Sequence, residues 1–234
     1  RVSSVVRMTP PVELGLGDES DGILSLPGES PVGSSLDDVL ALPDALIDLD
    51  LTPNRGDCFS ILGIARDIAA LTGAAIKDVS VSATKPTIKD QQTVEFIEPA
   101  GCPRFAGRVV RGIDTQARSP AWLTERLRRV GLRSISRVVD ITNYVMLELG
   151  QPLHAYDFGR IQGAIRPRLA KAGESVTLLD DKQVKLNGDT LVITDDSGPI
   201  GLAGIMGGLS RKGDAIVARH CGRRGRAADR CVCR

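Results

Sequence analysis

The spacing of apolar residues changes once along this chain, and the change restricts the fold more than any other feature. Between residues 120 and 150 apolar positions recur at helical spacing, and from Ile165 onward they recur in short runs with a period close to two. Helices followed by strands, rather than alternating with them, indicate an α+β fold with an antiparallel sheet. The expected helices are 120–130, with Ser119 as cap and Pro120 at the first helical position, and a second one beginning after Ser136 and ending at Gly150. Val138, Ile141, Thr142, Val145 and Leu149 form the inner face of the second helix. The expected strands are 105–113, 165–170, 175–180, 182–186 and 190–195, the last two joined by an Asn187-Gly188 hairpin turn.

Upstream, Ile47, Leu49 and Leu51 alternate with Asp48 and Asp50, which predicts a half-buried strand. A turn over Thr52–Gly56 and a helix from about Cys58 to Thr72 follow, with Asp57 as cap and Gly73 just past the end. Residues 1–45 carry many turn formers and little periodicity, and the polar stretch 77–92 reads as a boundary. With 42% hydrophobic residues in 234, the chain can bury a core, but aromatics make up only 3%, so aliphatic side chains must supply it. The same scarcity argues against base stacking as the main mode of RNA binding. No apolar run is long enough to span a bilayer and no signal-peptide pattern opens the chain, so a cytoplasmic location is expected. Cys58 and Cys102 read as reduced, packed thiols, and the start at Arg1 instead of Met suggests a fragment.

Three clusters can carry chemistry. Thr52–Asp57 sets Arg55 beside a helix start, suited to an anion, although pairing of Arg55 with Asp57 or Asp50 is the commoner outcome. His154 follows the Gly150-Gln151-Pro152 turn, which turns it back toward the helix carrying Thr142 and Asn143. Imidazole exchanges a proton near neutral pH, so it could polarise a water or an ester; alternatively it is a packed histidine that does no chemistry. The glycine-rich run Gly201–Gly208 lets a backbone approach a ligand or another backbone closely, and it lacks the Lys-Ser or Lys-Thr of a phosphate loop. No metal-ligand spacing is present around His154.

Five strings, LTPNRGDC (51–58), CPRF (102–105), VDITNYV (139–145), GQPLHAYD (150–157) and GLAGIMGG (201–208), stand in order and spacing. In this the chain resembles the family of bacterial phenylalanine-tRNA ligase beta subunits. The resemblance implies an α+β chain in which residues 1–40 are the trailing part of an OB-like tRNA-binding domain. It further implies a small domain over 41–80, a lead-in over 81–100 and a B3/B4-type editing domain over 101–210. It carries catalytic roles onto His154, Asn143 and Thr142, and substrate-binding roles onto Gly204, Met206, Gly207 and Gly208. In the family this region hydrolyses tyrosine wrongly attached to the phenylalanine tRNA, with a downstream carboxylate as candidate partner for the phenol. The partners implied are tRNA and an alpha subunit, in a tetramer of two alpha and two beta chains. ATP and magnesium serve the complete ligase, and no cofactor is implied for this stretch.

The chain departs from the family after Ser210. Residues 211–234 hold eight basic residues against two acidic ones, while the whole chain has a net charge of +1, so the body before this tail is mildly acidic. The tail reads as out-of-frame translation and as disordered. A basic RNA-binding arm and a metal site from His220, Cys221, Cys231 and Cys233 are the alternatives. Two other functions remain open on the residues: a free-standing aminoacyl-tRNA deacylase, and a noncatalytic RNA-binding module.

Overall fold

A computed structural model of the protein describes residues 23, 24, 26, 30–42, 44–77, 79, 81–179 and 181–208, and the backbone of 215–221. Most of the expected OB-like remnant lies outside these residues, as do the side chains of the alternative metal set. The chain divides into two compact units, residues 1–49 with 116–140, and residues 50–115 with 141–234.

The first unit contains helices α1 (Leu36–Leu40) and α3 (Ala121–Arg129) and the opening turn of α4 (Arg137–Leu149). Ser35 caps α1 by accepting from the Asp38 amide at 3.1 Å. Its C-terminal carbonyls receive Arg129, whose guanidinium donates to the Leu40 carbonyl at 2.5 Å and to Asp44 at 2.6 Å. The sequence expectation for α3 needs one correction: Pro120 stands at the cap position and makes no side-chain capping bond. Ser119 instead donates from Oγ to Asp140 at 2.5 Å. Asp140 is fully buried and also accepts from Ser134 Oγ at 2.5 Å and from the Ile135 amide at 2.9 Å. One carboxylate therefore pins both the entry to α3 and the loop leading into α4. A buried carboxylate with three donors costs little to bury and much to delete, because each donor is left unsatisfied.

In the second unit, helix α2 spans Ile61–Thr72 behind a single 3-10 turn at Gly56–Cys58. Its cap is Ser60, which accepts from the Gly63 amide at 2.9 Å, and not Asp57 as the sequence suggested. Gly73 closes the helix at φ 72°, the left-handed angle that glycine adopts without penalty. No strand forms at 47–51: Ile47 is 79% exposed and Leu49 49%. Alternation alone does not make a strand when no partner lies alongside among the described residues.

Three antiparallel sheets complete this unit. In the first, the order is β1 (Arg104–Val109), β9 (Ala215–Cys221), β2 (His154–Asp157). In the second it is β3 (Arg166–Leu169), β6 (Leu191–Asp195), β7 (Gly198–Leu202), β8 (Met206–Gly207). The third is a hairpin of β4 (Ser175–Thr177) and β5 (Gln183–Lys185). Two expectations are corrected here. β5 pairs with β4 and β6 with β3 and β7, so Asn187-Gly188 links two sheets and does not join paired strands. β9, inside the stretch read as a disordered tail, is the central strand of its sheet, paired with β1 from Arg104↔Cys221 to Val109↔Ile216.

Strand β6 shows how the core is built. Its consecutive residues Val192 and Ile193 are both fully buried, one in a cluster with Val176, Leu178 and Leu186, the other with Tyr156, Ile165 and Ile200. A strand covered on both faces loses alternation and becomes continuously apolar. Tyr156 belongs to β2, so its cluster joins the first sheet to the second.

Replacing Asp140 by Ala should lower stability by about 2–4 kcal/mol, read as the denaturation midpoint, with Asp140→Asn losing less. A midpoint unchanged in Asp140→Ala would remove the carboxylate from its anchoring role.

Candidate functional site

His154 opens β2, two residues before Tyr156, so both side chains leave the same face of the sheet. Their rings meet edge to face, centroids 4.5 Å apart and planes 75° to one another. Tyr156 is 2% exposed and anchored in the aliphatic cluster, which fixes the histidine beside it. Burial pushes the Tyr156 phenol up and the His154 imidazole down to about 4, so the imidazole is neutral at physiological pH.

The other side of the ring is closed by the glycine run. It forms β7, a turn through Gly204 at φ 73°, and β8. A side chain at 207 would begin inside the His154 ring, on top of its Cε1 and Nε2. At Gly201 a Cβ would stand 3.3 Å from the Gly207 Cα, and at Gly208 one would stand 2.6 Å from the Ile200 carbonyl oxygen. The Gly208 amide donates to that oxygen at 2.9 Å. The run packs backbone against backbone at 201 and 208, one of the two purposes left open by the sequence, and at 207 it leaves room for the His154 imidazole. Met206, at the start of β8, is 37% exposed.

Of the residues the family resemblance singles out, His154 and Gly207 thus come together. Thr142 and Asn143 lie in the middle of α4, half-buried. Sequence reading missed Tyr156 as the support of His154; the signal was the i, i+2 spacing of two rings in HAYD, legible only once 154–157 is a strand. It also missed the Ile200 carbonyl as the partner of Gly208, since a backbone partner leaves no mark on residue identity.

The Arg55 cluster resolves toward internal pairing. The guanidinium donates to Asp57 at 3.2 Å, to Asp67 at 2.8 Å and to Cys58 Sγ at 2.8 Å. Asp67 comes from the second turn of α2, so Arg55 ties the turn to the helix it precedes. Cys58 and Cys102 are buried and form no disulfide, as expected. Among the described residues, no group of three or more His, Cys, Asp or Glu side chains is set to hold a metal ion, and no helix is long and apolar enough to cross a membrane.

Residues 101–214 match the model of the B3/4 domain. The phenylalanine--tRNA ligase beta subunit of Pectobacterium atrosepticum is 48% identical over 196 residues, 84% of this chain and 25% of that protein. That of Vibrio vulnificus is 50% identical over 196 residues, with the same shares. The chain thus spans about a quarter of the length of the curated relatives it matches. An N-terminal fragment of the phenylalanyl-tRNA synthetase beta-subunit from Pyrococcus horikoshii superposes with a TM-score of 0.39 at 16% identity, covering 72% of this chain and 52% of that one.

The contact between His154 and Gly207 is testable. Gly207→Ala should lose about 1–3 kcal/mol of stability through forced displacement of the ring, and His154→Ala in the same chain should recover about 1 kcal/mol or more of it. Strictly additive losses in denaturant titrations of the two single variants and the double variant would mean that the ring does not occupy that volume.

Proposed function

We propose that this chain is part of a phenylalanine–tRNA ligase beta subunit and hydrolyses tyrosine wrongly esterified to the phenylalanine tRNA, because residues 101–214 match the B3/4 domain model and 84% of the chain aligns with such a subunit at 48% identity. The observation that carries the reading is His154: half-buried, held between Tyr156 and Gly207, and with its imidazole kept neutral by burial.

An aminoacyl ester is already activated, so the site has two tasks: to direct a water at the carbonyl carbon and to steady the oxyanion that forms. A neutral imidazole can accept a hydrogen bond from the attacking water, which an imidazolium cannot do. The water oxygen adds to the ester carbonyl carbon, the bond to the ribose oxygen breaks, and the proton given up by the water ends on that ribose oxygen. Asn143 and Thr142 are the proposed donors to the oxyanion. The Gly208 amide is already committed to Ile200, which removes it from that role. Gly204, Met206, Gly207 and Gly208 form the wall against which the aminoacyl group lies. Selectivity for tyrosine over phenylalanine requires a polar partner for the phenol, because a site that hydrogen-bonds a hydroxyl strongly rejects a ligand lacking it.

The synthetic reaction belongs, on this reading, to an alpha subunit that joins two beta chains and two alpha chains into the complete ligase. ATP and magnesium serve the complete ligase on this reading. tRNA is the shared substrate and the cytoplasm the shared compartment.

In a full-length beta subunit assembled with alpha, His154→Ala and Asn143→Ala should each slow tyrosyl-tRNA hydrolysis by about 100- to 1000-fold and leave phenylalanine attachment nearly unchanged. Tyrosyl-tRNA hydrolysis at the parental rate by a folded His154→Ala enzyme would overturn the assignment. Parallel loss of both activities with a lowered melting temperature would make His154 a packing residue.

A further inference from the structure

The segment 116–140 contains six arginines, no lysine and only two carboxylates, Glu125 and Asp140. Both carboxylates are withdrawn from the surface. Asp140 is fully buried on two serines and an amide. Glu125 is only 17% exposed and holds Arg128 through both of its oxygens. Arg129 faces Asp44 and the end of α1. Arg118, Arg126, Arg133 and Arg137 are all exposed, so the charge that this stretch presents to solvent is positive throughout.

The only tryptophan of the chain stands among them. Trp122 is 55% exposed on α3, one turn before Arg126, whose guanidinium lies 6.0 Å from the ring centroid. A large aromatic ring left on the surface of a chain with 3% aromatics needs a reason. The two residues after Arg133, Ser134 and Ile135, are both bound to Asp140, which ties down the backbone beside it. Arg137 is oriented by donating to the Arg118 carbonyl at 2.6 Å. Arginines fixed in place match phosphate oxygens bidentately, and a flanking aromatic ring offers a face to an unpaired base.

From this we infer that the exposed face of α3 and the loop after it binds RNA, with phosphates on Arg126 and Arg133 and an unpaired base stacked on Trp122. The inference rests on the reading that the chain handles tRNA, and it assigns the contact to a surface separate in sequence from His154 and the glycine run. An acidic protein would satisfy the arginines but gives no reason for a stacking ring between them.

Trp122 is also the natural reporter, because no other tryptophan contributes to the fluorescence of the chain. Titrating the full chain with uncharged tRNA should quench this emission, with an affinity that falls steeply as salt rises. Trp122→Ala should weaken binding about 10-fold or more in a filter-binding assay, and Trp122→Phe should restore most of the loss. Arg126→Gln with Arg133→Gln should reduce the slope of log affinity against log salt by about 1 to 2, with an unchanged melting temperature. Equal quenching by inorganic polyphosphate would mean that no base stacks on the ring and would overturn the proposal. Binding that survives the arginine replacements but vanishes when residues 222–234 are removed would assign the RNA to the basic tail, also against it. Failure here with normal loss of hydrolysis in His154→Ala leaves the editing reading intact, so the two can fail separately.

Discussion

The imidazole of His154 occupies the volume in which a side chain at 207 would begin, and the candidate site exists because of that one steric fact. The ring comes from the first residue of β2 and the glycine from β8, strands of two different sheets. Tyr156 drives its own ring into the cluster of Ile165, Ile193 and Ile200 and so presses the sheets together two residues away. Burial of that tyrosine stabilises the fold; burial of the histidine works against its charged form. The same packing that holds the two sheets therefore sets the protonation state on which the proposed chemistry depends.

The two units each rely on a polar anchor as well as on apolar packing. In the first, Asp140 gathers Ser119, Ser134 and the Ile135 amide, and it holds in register a stretch with six arginines. In the second, Asp195 accepts from Ser197 Oγ at 2.5 Å and from the Gln162 amide at 3.0 Å, closing the end of β6. Buried carboxylates of this kind contribute less through Coulomb attraction than through satisfying donors that water can no longer reach.

Local patterns made much of the fold legible, and non-local pairing hid the rest. Helix α4 was readable to within a residue, because Ser136 and Gly150 bracket a regular apolar stripe. β3, β4, β5 and β6 were readable from their alternation and turns. The hairpin at Asn187-Gly188 was not, because the partner of β5 is fixed by the register Val176↔Val184 and not by the turn that follows it. The strand expected at 47–51 failed for the same reason: alternation offers a face but does not supply a neighbour. β2 was missed since HAYD is too short to show a period, and β9 was missed because the charge of the tail outweighed the run Ala215–Ala218. At the site, the residue types were visible but the contact was not, as a glycine gives no sign of which side chain fills the space beside it.

The protonation of His154 tests the account most directly. Its ring can be titrated by NMR in the folded chain, using isotope-labelled histidine and His154→Gln to assign the signal. The account predicts a neutral ring down to an apparent pKa of about 4, against 6.5 for an unhindered imidazole. The sign of the linkage follows: the unfolded chain takes up this proton first, so the stability tied to His154 is constant above about pH 6.5 and is lost as the pH falls toward about 4. A midpoint near 6.5 would mean that the ring stands in water, free of Gly207 and Tyr156, and would contradict the account.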